Sequence, residues 1–383
     1  MRADFPGLVT LGALIAIVSM LPAAARPAAA SPRIVAGAVD ALPPVATFSI
    51  VACDTVEKEW GVAVASRFLA VGSVVPWAEA GVGAVATQAI ADTRLGPEGL
   101  DLMARGASAP QALEALMTPP EQPAIRQIGL VDAKGNTATF TGERCDQWAG
   151  GVQGPGFAAQ GNILAGPDVV QAMADAFQGS EGSLAERLLA ALKAGNDAGG
   201  DRRGKQSAAL LVVKDKGGYR GGNDRYIDLR VDDAEAPVAE LVRLYKLQAK
   251  TFLPAVHTRL GDEALKAGNR ERADREYARV IHLYRAAIRD FPDDPEPKNG
   301  LAWFYVQHRV NLDEALRLAT AAQSEAPDSW EVLDTLTEIA LVRGQLNQAL
   351  DFAQKALEVD PQNDYLKGQA ARVKAEIEKK EKR

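Results

Sequence analysis

The sequence predicts an α+β domain, two β-sheets faced by helix pairs, followed by an all-α domain of repeated helical hairpins. Three observations carry this expectation. All but five of the 34 glycines precede residue 246; Gly-rich turns suit strands and tight loops, whereas Gly-poor stretches rich in Ala, Leu, Glu and Arg suit helices. Before that break the apolar patterns run strands, two helices, strands, two helices, strands. Beyond it, Leu312, Ala315, Ala319, Ala322 and Pro327 recur 34 positions later as Leu346, Ala349, Ala353, Ala356 and Pro361.

The elements follow in order. Leu8 to Leu21 is an apolar run of 14 residues, shorter than the roughly 20 that span a bilayer. Ala28-Ala29-Ala30 then offers a small-residue cleavage site, so residues 1–30 read as a secretory signal peptide and the mature protein as exported, periplasmic or secreted, without a stable membrane span. The alternative is an uncleaved N-terminal anchor. Residues 31–46, with three prolines, read as a flexible leader. Thr47, Ser49, Val51 and Cys53 alternate with Phe48, Ile50 and Ala52, a strand pattern. Residues 60–66 and 82–87 are further strands, and 97–106 and 109–117 are helices. Residues 125–142 form a hairpin about Lys134-Gly135-Asn136. Residues 157–164 give a strand, 167–178 and 183–195 helices, and 207–213 and 225–231 strands. The first domain is placed at 47–235. Residues 236–295 read as a linker helix and an atypical helical pair, 296–363 as two regular hairpins, and 364–383 as a charged capping helix.

Composition narrows the chemistry. The 383 residues carry a net charge of −7, which argues against a general nucleic-acid binder or a polybasic membrane-surface binder. The three histidines are His257, His282 and His308, so the first domain cannot use a Ser-His-Asp or Cys-His arrangement or a histidine-ligated zinc. Two cysteines, Cys53 and Cys145, cannot build a structural zinc or iron–sulfur site; they form either a disulfide or two buried thiols. No metal or other cofactor is expected. Strict βαβ alternation and the Gly-rich dinucleotide and P-loop fingerprints are absent, which disfavours a doubly wound nucleotide fold.

The segments TFSIVACD (47–54), WGVAVASRFLAVGSVVPWAEAGVGAVATQ (60–88), FAAQGNILAG (157–166), GGDRRGKQSAALLVV (199–213) and NDRYIDLRVDD (223–233) closely resemble the DUF1028 family. That resemblance implies a four-layer αββα sandwich like that of the N-terminal-nucleophile (Ntn) hydrolases. The 34-residue period with small residues and terminal prolines resembles tetratricopeptide (TPR) repeats. Such stacks present a concave groove to a peptide or protein partner; packing on the first domain, or dimerisation, is the competing use.

In Ntn hydrolases an N-terminal Thr, Ser or Cys is the nucleophile and its own α-amino group the base. An α-amino group titrates at about 8, which suits a domain without histidine. The resemblance puts Thr47 at that position, and freeing its amine requires cleavage of Ala46–Thr47. Ser66 and Arg67 match a second-strand segment of proteasome-type subunits, although Ala65 stands where those have Asp. Asp201 and Ser207 match a loop that supports the nucleophile. Arg202 and Arg203 beside them suit a substrate carboxylate. Asn162 is a candidate oxyanion donor, and Thr87 and Gln88 end a strand towards the same pocket. The resulting expectation is an exported amide hydrolase acting on a small amide or peptide, cell-wall-derived amides included. The alternative is a non-catalytic binding protein on a degenerate Ntn fold with its TPR module, and an oligomeric scaffold is a third reading.

Overall fold

The computed structural model describes residues 47–118 and 122–382. The expected signal peptide and leader lie outside these residues. Ten strands and twelve α-helices are described. They begin with β1 (Thr47–Asp54), β2 (Glu59–Ser66), β3 (Pro76–Glu79) and β4 (Gly83–Ala89). Helices α1 (Leu95–Ala104) and α2 (Ala109–Leu116) follow. Next come β5 (Arg126–Asp132), β6 (Thr137–Thr141), β7 (Gly150–Gly154) and β8 (Phe157–Gly161). Helices α3 (Asp168–Gly179) and α4 (Leu184–Asp197) precede β9 (Ser207–Lys214) and β10 (Arg225–Val231).

The strands form a six-stranded sheet, ordered β10-β9-β2-β1-β8-β7, and a four-stranded sheet, β3-β4-β5-β6. Every named pairing is antiparallel. Strand periodicity sends alternate side chains to opposite faces, and the core divides accordingly. Val51, Val62 and Val64 of the larger sheet pack with Ala84, Ala86 and Val131 of the smaller one. Phe48, Ile50 and Ala52, on the other face of β1, pack on Met173, Phe177, Leu188 and Leu192 of α3 and α4. Val85, Ile128 and Leu130 pack on Leu95, Leu100, Ala112 and Leu116 of α1 and α2.

Strands β3 and β7 escape the sequence patterns. Both lie at sheet edges. Strand β3 opens on Pro76, which an edge strand tolerates, and three of the five residues of β7 are glycines, poor strand formers. The β5–β6 turn forms as expected: Gly135 has φ of 86°, a conformation glycine adopts without cost. Asp132 Oδ1 closes it by accepting from the Lys134 and Asn136 amides at 2.8 and 3.0 Å.

The rest is helical: α5 (Pro237–Thr251), α6 (Leu253–Lys266), α7 (Arg270–Asp290), α8 (Pro295–Gln307), α9 (Leu312–Glu325), α10 (Trp330–Val342), α11 (Leu346–Val359) and α12 (Asp364–Glu381). Val238, Leu241 and Tyr245 of α5, Leu253, Val256 and Leu260 of α6, and Leu283 of α7 extend the apolar cluster beneath α3 and α4. Helix α5 is therefore packed into the core rather than bridging solvent. Hairpins α8–α9 and α10–α11 close on Ala315, Ala319, Ala322, Ala349, Ala353 and Ala356, all buried; small side chains at these positions let paired helices approach closely. Among the described residues no helix is long and apolar enough to cross a membrane.

Candidate functional site

Two places have the side chains for a function: the strand ends around Thr47 and the groove of the helical repeats. At the first, sheet register places Thr47 opposite Ser66 and Ser66 opposite Ser207. Three hydroxyls thus stand in a row across β1, β2 and β9. All three residues are buried, and Thr47 Oγ1 donates to Ser66 Oγ at 3.2 Å. Ser207 Oγ donates to the Phe68 carbonyl at 2.5 Å and accepts from the Val71 amide at 3.1 Å. Its hydroxyl thereby holds the segment between β2 and β3.

Asp201 is buried and tied by a clamp. Its carboxylate accepts from the Arg67 amide at 3.0 Å and the Arg203 amide at 2.9 Å. The Arg203 guanidinium closes on it at 2.9 Å and also donates to the Arg67 carbonyl at 3.1 Å. Arg67 Nη1 returns a bond to the Arg203 carbonyl at 3.1 Å. Asp201, Arg67 and Arg203 thus bind the 201–206 loop to the end of β2. Arg202 is exposed, with its amide on the Ile163 carbonyl.

Asn162 and Gln88 belong to a buried polar layer between the sheets. Gln88 Nε2 donates to Gln127 Oε1 at 2.8 Å and to the Thr47 carbonyl at 3.3 Å, and its Oε1 accepts from Ser49 Oγ at 2.6 Å. Gln160 Nε2 donates to Ser49 Oγ at 2.7 Å, and Asn162 Nδ2 to Gln127 Oε1 at 2.8 Å. The Asn162 amide also donates to the Thr47 carbonyl at 3.0 Å. Every side chain of this layer is at most 1% exposed, and satisfied networks of this kind fix a unique geometry. The layer holds Thr47 in place through its carbonyl.

Thr87 was expected beside Gln88. It shares the other face of β4 with Val85, and its hydroxyl donates to the Asp92 carbonyl at 3.3 Å. Sequence reading missed Ser49, Gln127 and Gln160. Their signal was a polar residue at inward positions of otherwise apolar strands.

Cys53 and Cys145 are buried free thiols. Burial, with the charges of Asp54 and Asp132, pushes the Cys53 thiol up to about 11. Among the described residues no group of three or more His, Cys, Asp or Glu is placed to hold a metal ion.

The second place is an open groove of about 750 Å³ along α8, α10 and the start of α12, reaching α5 and α7. Tyr284, Trp303, Trp330 and Tyr365 line it, with the Trp330 and Tyr365 ring centroids 6.5 Å apart. Gly300 of α8 admits the Tyr284 ring: a Cβ there would lie 2.6 Å from it. Asn299 also lines the groove, and its Oδ1 is buried with no hydrogen-bond partner. Burial pushes the Tyr284 phenol up to about 12.

The family model "Family of unknown function (DUF1028)" matches residues 47–241. A solved protein of that family from Silicibacter pomeroyi is 32% identical, with 53% of this chain and 86% of that one covered and a TM-score of 0.49. The first TPR domain of human RPAP3 is 16% identical over 34% of this chain and 96% of its own, TM-score 0.28. The Sgt2 TPR domain from Aspergillus fumigatus is 20% identical over 35% and 84%, TM-score 0.28. No curated protein matches the chain. On the family match, which spans half of the chain, the chain belongs to the DUF1028 family, its family domain followed by TPR-like helical repeats.

Proposed function

We propose that this protein binds peptides, and that its helical repeats hold an extended peptide in the groove along α8 and α10. The observation that carries this reading is the groove itself: four aromatic side chains around an open channel. The repeats of this architecture stack into concave surfaces of the right shape. The test is an array of random decapeptides probed with the full chain and with Trp303→Ala. Enriched binding that the substitution removes supports the reading; binding that the substitution leaves intact, or none, overturns it.

A second reading concerns Thr47. The row Thr47–Ser66–Ser207, the carbonyl of Thr47 fixed by Asn162 and Gln88, and a domain without histidine favour an Ntn-type centre on a four-layer αββα sandwich. In this reading the exported chain is cut at Ala46–Thr47. The Thr47 hydroxyl then attacks the carbonyl carbon of an amide while its proton passes to the new α-amine. The C–N bond breaks as that proton goes to the leaving nitrogen, and water hydrolyses the resulting ester. Asp201 and the arginines beside it act by holding the loop next to Ser66. N-terminal sequencing of the mature protein decides the matter: a start at Thr47 supports a hydrolase, and a start at Ser31 or Met1 removes the base the mechanism needs.

A further inference from the structure

Resting on the peptide-binding reading of the groove, we infer that the peptide it takes is cationic, presenting Lys or Arg side chains to the aromatic channel. Three features of the lining agree. The first is charge. Among the described residues the lining holds three acidic side chains, Glu296, Glu331 and Asp334, and one cation, Lys250. That cation is already engaged, since its Nζ lies 2.5 Å from Asp294 and 2.8 Å from Glu296. Glu331 contacts the Ser329 hydroxyl at 2.9 Å and is exposed, so its charge is available at the groove mouth.

The second feature is hydrogen-bond polarity. Asn299 Oδ1 is a buried acceptor without a donor. Asp334 is buried on the channel wall and accepts from Tyr365 at 2.8 Å and from Gln369 at 2.7 Å. The Glu331 and Asp334 carboxylates only accept, and ammonium and guanidinium groups are donors only. The third is the rings. Tyr284, Trp303, Trp330 and Tyr365 offer π faces that attract a cation set over them, and the aliphatic stems of Lys and Arg cover apolar wall while the head group reaches the carboxylates. An acidic peptide would meet like charge at Glu331 and Asp334 and find no unengaged lining cation among the described residues.

The experiment is fluorescence anisotropy with the full chain and three fluorescein-labelled decapeptides of one Ala/Leu framework, carrying four Lys, four Ser or four Glu. The Lys peptide is expected to bind at least tenfold more tightly than the Ser peptide, and the Glu peptide more weakly than either. Raising salt from 50 to 500 mM should erode the Lys preference, since screening shortens the reach of exposed charges. Glu331→Lys should weaken the Lys peptide about tenfold, as expected for reversing one charge near the ligand, and strengthen the Glu peptide. Equal or tighter binding of the Ser or Glu peptide, lost in Trp303→Ala, overturns the cationic class while leaving the groove as a peptide site. Binding of the Lys peptide that Trp303→Ala and Glu331→Lys do not change overturns both, because the peptide then sits elsewhere. No binding of any of the three overturns the cationic class, and the decapeptide array decides the groove reading separately.

Discussion

Replacing His257 by phenylalanine removes two buried hydrogen bonds while keeping a ring of similar size in place. His257 of α6 is fully buried. Its Nε2 lies 2.7 Å from the Tyr226 hydroxyl of β10, and its Nδ1 lies 2.6 Å from Glu276 Oε2 of α7. A carboxylate only accepts, so Nδ1–H donates to Glu276, while Nε2 and the Tyr226 hydroxyl share the second bond. This chain of three side chains joins the six-stranded sheet to the first helices of the repeat region. In His257→Phe the phenol loses its hydrogen-bond partner at a cost of roughly 1–3 kcal/mol, and the carboxylate its donor at somewhat more. Arg272, 3.8 Å from Glu276 Oε1, softens the second loss, and the added apolar ring returns about 1 kcal/mol. The net expectation is about 3 kcal/mol, or a Tm lower by roughly 6–12 °C.

The pH dependence has a definite sign. Burial pushes the Glu276 carboxyl up, but the His257 hydrogen bond and the charges of Lys214, His257 and Arg272 outweigh it and hold it below its ordinary value. A carboxyl depressed in the folded state contributes stability above its unfolded pKa, near 4.3, and that contribution is lost as pH falls through the folded value. Urea unfolding of the wild type and the variant between pH 3 and 7 should therefore show the largest gap at neutral pH, narrowing below about pH 4.3. A gap below about 0.5 kcal/mol at pH 7, within the range of an ordinary surface change, would refute the reasoning, as would one that widens on acidification.

Other consequences follow from the same packing. Gln88→Leu strips four hydrogen bonds from the layer between the sheets and leaves the Ser49 hydroxyl without its acceptor; a loss of about 3 kcal/mol is expected by urea denaturation, and a neutral result would mean the layer is not needed. Gly300→Ala drives a methyl group into the Tyr284 ring; about 1–3 kcal/mol of stability should go, with weaker peptide binding, and unchanged affinity would place the peptide away from Tyr284. With its thiol pushed up to about 11, Cys53 should resist a thiol reagent at pH 8, since the thiolate is the nucleophile. Both cysteines should titrate on unfolding without reductant, and no titratable thiol would mean they are paired.

Much of this architecture was legible in the sequence because strand and helix periods are physical. The alternation in 47–54 put Phe48, Ile50 and Ala52 on one face and Thr47, Ser49 and Val51 on the other, as the two core layers require. The 34-residue recurrence of alanines marked the closely packed helical hairpins. Strands β3 and β7 were hidden because an edge strand needs neither full burial nor high propensity. The candidate site was less legible. Register across three strands, which aligns Thr47, Ser66 and Ser207, depends on long-range pairing that local pattern does not contain. Thr87 and Gln88 are neighbours in sequence yet point to opposite faces of β4. The groove depends on residues from five helices, and His257 gains its partners only when α6 packs between β10 and α7.

Photo-crosslinking tests the central claim most directly. A decapeptide selected on the array and carrying a benzophenone side chain would be irradiated with the full chain, and the attachment points mapped by mass spectrometry. The account predicts attachment along the groove, at residues such as Trp303, Trp330 and Tyr365. Attachment around Thr47, Ser66 and the 201–206 loop would contradict it and move the peptide site to the strand ends of the DUF1028 domain.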